Sequence, residues 1–181
     1  MLQITVPETE LWNDKTQEFV ELPAVTIRLE HSLVSLSKWE MKWKKPFLTR
    51  EQKTHQEIVD YVRCMTITQN VPSDVYTRLT TENLKQVQDY IGDSMTATTI
   101  RERQQGGAGR NQIFTNERIY AMMVREGIPF ECEKWHLNRL LTLIRVCSID
   151  GQPGKKMSQK EILRDNWALN QARRAKLHTK G

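Results

Sequence analysis

No stretch of this chain approaches the ~18 consecutive apolar residues that a membrane-spanning helix requires, so a helical membrane protein is not expected. Cysteine is scarce and odd in number. Cys64, Cys132 and Cys147 stand far apart in apolar surroundings, with no Cys-x-x-Cys pair, which excludes a disulfide framework and suits small buried hydrophobes in a reducing cytosol. Met1-Leu2-Gln3-Ile4-Thr5-Val6-Pro7 lacks the basic-then-apolar order of an export signal. Signatures of nucleotide and acyl chemistry are missing as well. Gly151-Gln152-Pro153-Gly154-Lys155-Lys156 has neither the spacing nor the hydroxyl of a phosphate loop. No Gly-x-Ser-x-Gly elbow is present, and the glycines at 106, 107 and 109 follow no strand pattern, so they are no dinucleotide fingerprint. No internal repeat and no sustained heptad occurs.

What remains is a chain of 181 residues, 38% hydrophobic, long enough for one domain with a real core plus tails. Its formal charge of +5 is unevenly placed. Residues 151–181 hold eight Lys and Arg against Glu161 and Asp165, a net +6, which leaves residues 1–150 at −1. A near-neutral body therefore carries a basic tail, and such tails meet nucleic acid, acidic proteins or membrane surfaces.

Strand signals concentrate in residues 1–30, where Leu2-Gln3-Ile4-Thr5-Val6 and Val25-Thr26-Ile27-Arg28-Leu29 alternate in polarity. Pro7, Asn13-Asp14 and Pro23 read as turns between them, giving a small antiparallel element that must pack on helices to be stable. From Ser32 the period changes, and Leu33, Leu36, Trp39 and Trp43 fall on one helical face until Pro46. Thr49-Arg50-Glu51-Gln52 reads as a capping box for a helix with Ile58, Val62 and Met65 inward. Ser73, then Thr80 or Thr81, open further helices, the second carrying Leu84, Val87, Tyr90 and Ile91 with Gly92 as its stop. Residues 101–110, with three glycines in four residues, read as a mobile exposed hinge. Thr115 caps a helix to Glu126 with Ile119, Met122 and Met123 inward and Gly127 ending it. Glu131 to about Ser148 reads as one core helix, with Trp135, Leu137, Leu140, Leu141 and Ile144 on its face. After the break at residues 150–154, Ser158-Gln159-Lys160-Glu161 is a capping box opening a last, mostly polar helix to about Lys176. The expected fold class is mainly α (α+β): strands in 1–30, a core of about five to six helices in 31–150, and a basic linker and helix in 151–181.

Candidate chemistry is sparse. Cys132 and His136 share a four-residue spacing on the expected helix, but two ligands do not make a metal site, and Glu51 with His55 reads as an exposed pair. No catalytic residue, metal or cofactor is expected. Trp39 and Trp43 lie among Lys38, Lys42, Lys44 and Lys45, a pattern that either stacks bases and neutralises phosphates or is the wet side of a helix whose tryptophans form core, the second weighing more. Trp12 and Trp167, near the two ends, suit protein partners. The candidate partner-binding residues are Trp39, Trp43, Lys155, Lys156, Trp167, Arg173 and Arg174.

Residues 31–40, 44–48 and 128–141, from His31-Ser32-Leu33 to Asn138-Arg139-Leu140-Leu141, together with the ending from Asn170 to Gly181, resemble a group of tailed-bacteriophage tail-morphogenesis proteins, the tail assembly chaperones. That resemblance implies a non-enzymatic helper in the host cytoplasm. It would bind the tape measure protein and tail-tube subunits, with homo-oligomers among its possible states. The residues leave two other readings open: a nucleic-acid-binding phage protein using the basic tail, or a virion structural protein such as a connector or tail-completion component.

Overall fold

The computed structural model describes residues 1–14, 17–100, 114–150 and 159–177. The chain divides into two units, Met1–Cys147 and Ser148–Gly181.

In the first unit, β1 (Leu2–Val6) pairs antiparallel with β4 (Val25–Leu29), with Ile4 opposite Ile27 and Val6 opposite Val25. The alternation seen in the sequence decides which face is buried. Ile4, Val6, Ile27 and Leu29 are buried, whereas Thr5 and Thr26 share a 2.9 Å hydroxyl hydrogen bond on the outer face. Between these strands, where the sequence predicts only turns, the chain forms a second ribbon: β2 (Thr9–Asn13) paired with β3 (Glu18–Leu22). Its apolar residues come as adjacent pairs, Leu11-Trp12 and Phe19-Val20, one on each face, so no period of two was visible.

The helices cover the buried side of β1 and β4. Helix α1 (Leu33–Trp43) starts at a capping box formed by Ser32 and Ser35. It presents Leu33, Leu36 and Trp39 to the core, where α2 (His55–Met65) adds Tyr61, Val62 and Met65. Ile58, expected inward, is exposed. The capping box of α2 is Thr54-His55-Gln56-Glu57 rather than the predicted Thr49–Gln52. Both segments fit the pattern, but Glu57 is also held by Lys45 at 2.7 Å, and that tertiary contact selects the later start. The short α3 (Asp74–Thr77) follows, then α4 (Thr81–Gly92), whose Thr80 cap matches expectation.

Gly92 is not the stop predicted for α4, because it lies inside the helix, and the last carbonyls are satisfied from elsewhere. Asn138 Nδ2 donates to the carbonyls of Ile91 and Asp93 at 2.9 and 2.6 Å. Helix α5 (Asn116–Arg125) ends at Gly127 with φ +66, a left-handed stop as expected. The Thr115 side chain makes no capping bond. Glu40 of α1 substitutes, its carboxylate accepting Asn116 N–H at 2.8 Å.

The single helix expected from Glu131 is two pieces, a 3₁₀ segment (Phe130–Lys134) and α6 (Leu137–Asp150). Trp135 is extended between them, since His136 bridges Ser32 and the Leu137 amide donates to the His31 carbonyl at 2.7 Å. Pairing with the β4–α1 junction outweighs helical continuity. The first unit is thus mainly helical with small antiparallel β-structure, and the second carries α7 (Gln159–Leu177). The predicted glycine hinge at 101–110, the break at 151–154 and the Ser158 cap lie outside the described residues. No helix among the described residues is long and apolar enough to cross a membrane.

Candidate interaction surfaces

The Trp39–Trp43 patch is resolved by what α2 places against it. Trp39 is 1% exposed, and its Nε1 donates to the Glu57 carbonyl at 2.9 Å. Its ring stacks on Trp43 and meets Phe47 edge-on. As a partner-binding residue Trp39 is therefore corrected: no base or client reaches a ring enclosed by the core. Trp43 is half-buried, with Nε1 donating to Asp60 Oδ2 at 2.9 Å. The lysines are also committed in part, Lys42 to Asp60 and Lys45 to Glu57. The Lys45 ammonium, with the Thr54 amide, holds the Glu57 carboxyl down at about 2. Ion pairing from α2 thus offsets positive charge that a phosphate backbone would have to meet.

Other buried polar groups hold the fold. Glu40 accepts Phe47 N–H at 2.7 Å and both the amide and Nδ2 of Asn116 at 2.8 Å. His31 Nδ1 lies 2.6 Å from the Tyr61 hydroxyl. Burial, with His136 beside it, lowers His31 to about 3, so it is neutral. His136 Nε2 donates to the Tyr90 carbonyl at 3.0 Å, and its buried Nδ1 has no partner among the described residues. Cys132 and His136 do not share a helical turn, since the chain is extended at Trp135. No group of three metal-ligating side chains occurs among the described residues. Cys132 is buried, and burial pushes the Cys64 thiol up to about 11. Met123 is enclosed in the core and Met122 half-buried, so this pair offers no adaptable methionine surface.

Besides scattered exposed residues such as Met41, Ile67, Val124 and Phe130, apolar side chains face solvent together on two elements. On α7, Leu163, Trp167 and Leu177 are all exposed, Trp167 at 65%. At 3.6 residues per turn these three fall within about 80° of arc, on a stripe shared with Asn170 and Arg174, while Leu169, also exposed, lies outside it. The spacing from 163 through 167, 170 and 174 to 177 alternates four and three, the seam along which helices pair. Arg173 and Arg174 are exposed as well, while Lys155 and Lys156 lie outside the described residues. The second place is the β2–β3 ribbon, where Leu11, Trp12, Phe19 and Val20 are exposed. Trp12 was singled out in the sequence. Its edge-to-face partner Phe19, at 5.0 Å, was not, because only the ribbon register brings the two together.

No family model, curated protein or solved structure matches this chain.

Proposed function

We propose that this chain is a non-enzymatic assembly factor of the tail assembly chaperone kind, binding the tape measure protein and tail-tube subunits of a tailed bacteriophage in the host cytoplasm. The observation that carries the reading is the α7 seam. Leu163, Trp167 and Leu177 leave apolar area in water along one stripe of a mostly polar helix, which suits pairing with an apolar helical client. The phrases that resemble tail assembly chaperones, in residues 31–40, 44–48, 128–141 and 170–181, add the choice of client. The buried acids and histidines are engaged in capping, ion pairing and strand-to-helix junctions, consistent with a binding role.

A nuclease-treated affinity capture from infected cells, followed by mass spectrometry, tests the proposal. Recovery of a long helical tape measure protein or the tube subunit, reduced by Trp167→Ser, is the expected result. A second reading, nucleic-acid binding, is favoured by exposed Arg173 and Arg174 within the net +6 of residues 151–181. It predicts capture that vanishes with nuclease and affinity that falls steeply with salt. Abundance of the chain in purified particles would favour a virion structural component.

A further inference from the structure

The β2–β3 ribbon has a composition at odds with its position. Among the described residues it is two strands wide, both outer edges lack a partner strand, and Leu11, Trp12, Phe19 and Val20 on its two faces are exposed. An isolated two-stranded ribbon is marginal in water, and free edges are templates for another strand. The register sorts its side chains into two unlike faces. Leu11, Val20 and Leu22 share one, and Glu10, Glu21, Trp12 and Phe19 share the other. Glu10 stands directly opposite Glu21, a like-charge pair that disfavours the ribbon until a cation sits between them. Residues 8–22 contain Glu8, Glu10, Asp14, Glu18 and Glu21 against Lys15, a net −4, whereas the rest of the unit Met1–Cys147 sums to +4. At the ribbon's base, Glu8, Glu10, Glu21, Leu22 and Pro23 line an open cleft of about 650 Å³.

We infer that the β2–β3 ribbon is a docking arm for a basic, extended segment of a partner protein, which adds as a strand to one free edge. Alternation along that segment follows from the two faces. Apolar residues meet Leu11, Val20 and Leu22, and the arginines or lysines between them reach Glu10 and Glu21, where a guanidinium also stacks on Trp12 or Phe19. Charge complementarity selects this occupant. A nucleic acid would bring phosphates to a segment of net −4, and a second copy would bring the same carboxylates. The inference rests on the arm alone and stands whichever client α7 takes.

The test is selection of displayed random 15-residue peptides on the full-length chain, with affinities measured by fluorescence anisotropy. Glu10→Lys and Phe19→Ser serve as variants; both positions are exposed, and Glu10→Lys places opposite charges across the ribbon, so both variants keep the fold. Enriched peptides should alternate basic with apolar residues, lose at least tenfold in affinity against each variant, and weaken with salt. No enrichment, enrichment of peptides without net positive charge, or affinity unchanged by both variants overturns the inference. Sedimentation showing a dimer that Glu10→Lys abolishes assigns the arm to a second copy and overturns it equally.

Discussion

Arg78 Nη1 donates to the carbonyl oxygen of Pro7 at 3.0 Å, from a side chain only 8% exposed. The same nitrogen lies 3.5 Å from the Pro23 carbonyl, so one guanidinium spans both chain crossings where the ribbon leaves the body, while Nη2 pairs with Asp74. Truncation leaves carbonyls and a carboxylate without their donor, at a cost of about 1–3 kcal/mol. Arg78→Ala is expected to lower urea-unfolding stability by that amount and to speed hydrogen exchange between Thr9 and Leu22. Arg78→Lys should restore less than half, since an ammonium cannot reproduce the planar fork.

Acid should destabilise the first unit before its carboxylates titrate. His31 is lowered from 6.5 to about 3 by burial and by His136, so the folded state binds fewer protons than the unfolded one as pH falls. Stability is then complete above pH 6.5 and declines down to the folded value. By linkage the loss is about 3 kcal/mol between pH 7 and pH 4.5. Glu57, held at about 2 by Lys45 and Thr54, contributes in the same direction only below 4.5. Urea titrations across pH should show the early slope in the wild type and its loss in His31→Gln.

Glu40 gathers three N–H donors from two places in the chain, Phe47 and Asn116. Glu40→Gln presents an amide N–H₂ to at least one of these donors and removes the charge facing the start of α5. A loss of about 2–4 kcal/mol is expected from bonds to a charged acceptor, read by thermal unfolding, with Asn116→Ala less costly.

Two tryptophans should separate stability from binding. Trp39→Ala opens a cavity in the core and should cost about 3–5 kcal/mol. Trp167→Ala, at an exposed position of α7, should change stability by less than about 0.5 kcal/mol and yet reduce client capture. Equal effects of the two on unfolding would contradict the placement of Trp167.

Much of the architecture was legible wherever one local pattern decided the outcome. The alternation in β1 and β4, the change of period at Ser32, the Thr80 cap and the Gly127 stop each depend on neighbours in sequence. The readings that failed were those settled by distant residues. Lys45 chose Thr54 over Thr49, Asn138 ended α4 in place of Gly92, and Ser32 with His31 broke the helix at His136. The interaction surfaces divide similarly. Trp167 on a polar helix could be read directly, but the lysines beside Trp43 look free until the carboxylates of α2 are placed against them. The ribbon hid because both its faces are partly apolar.

Val6 and Val25 stand directly opposite each other, and the whole arm enters and leaves through that one pair. Everything from Pro7 to Ala24 is thus an insertion in a single hairpin, attached at adjacent points like a cassette. Its length and sequence are free to diverge while Ile4, Ile27 and the helices beneath keep their places. A lineage could exchange one partner for another here at small cost to the fold, and the arm of this chain would transplant onto any hairpin that ends in a comparable facing pair.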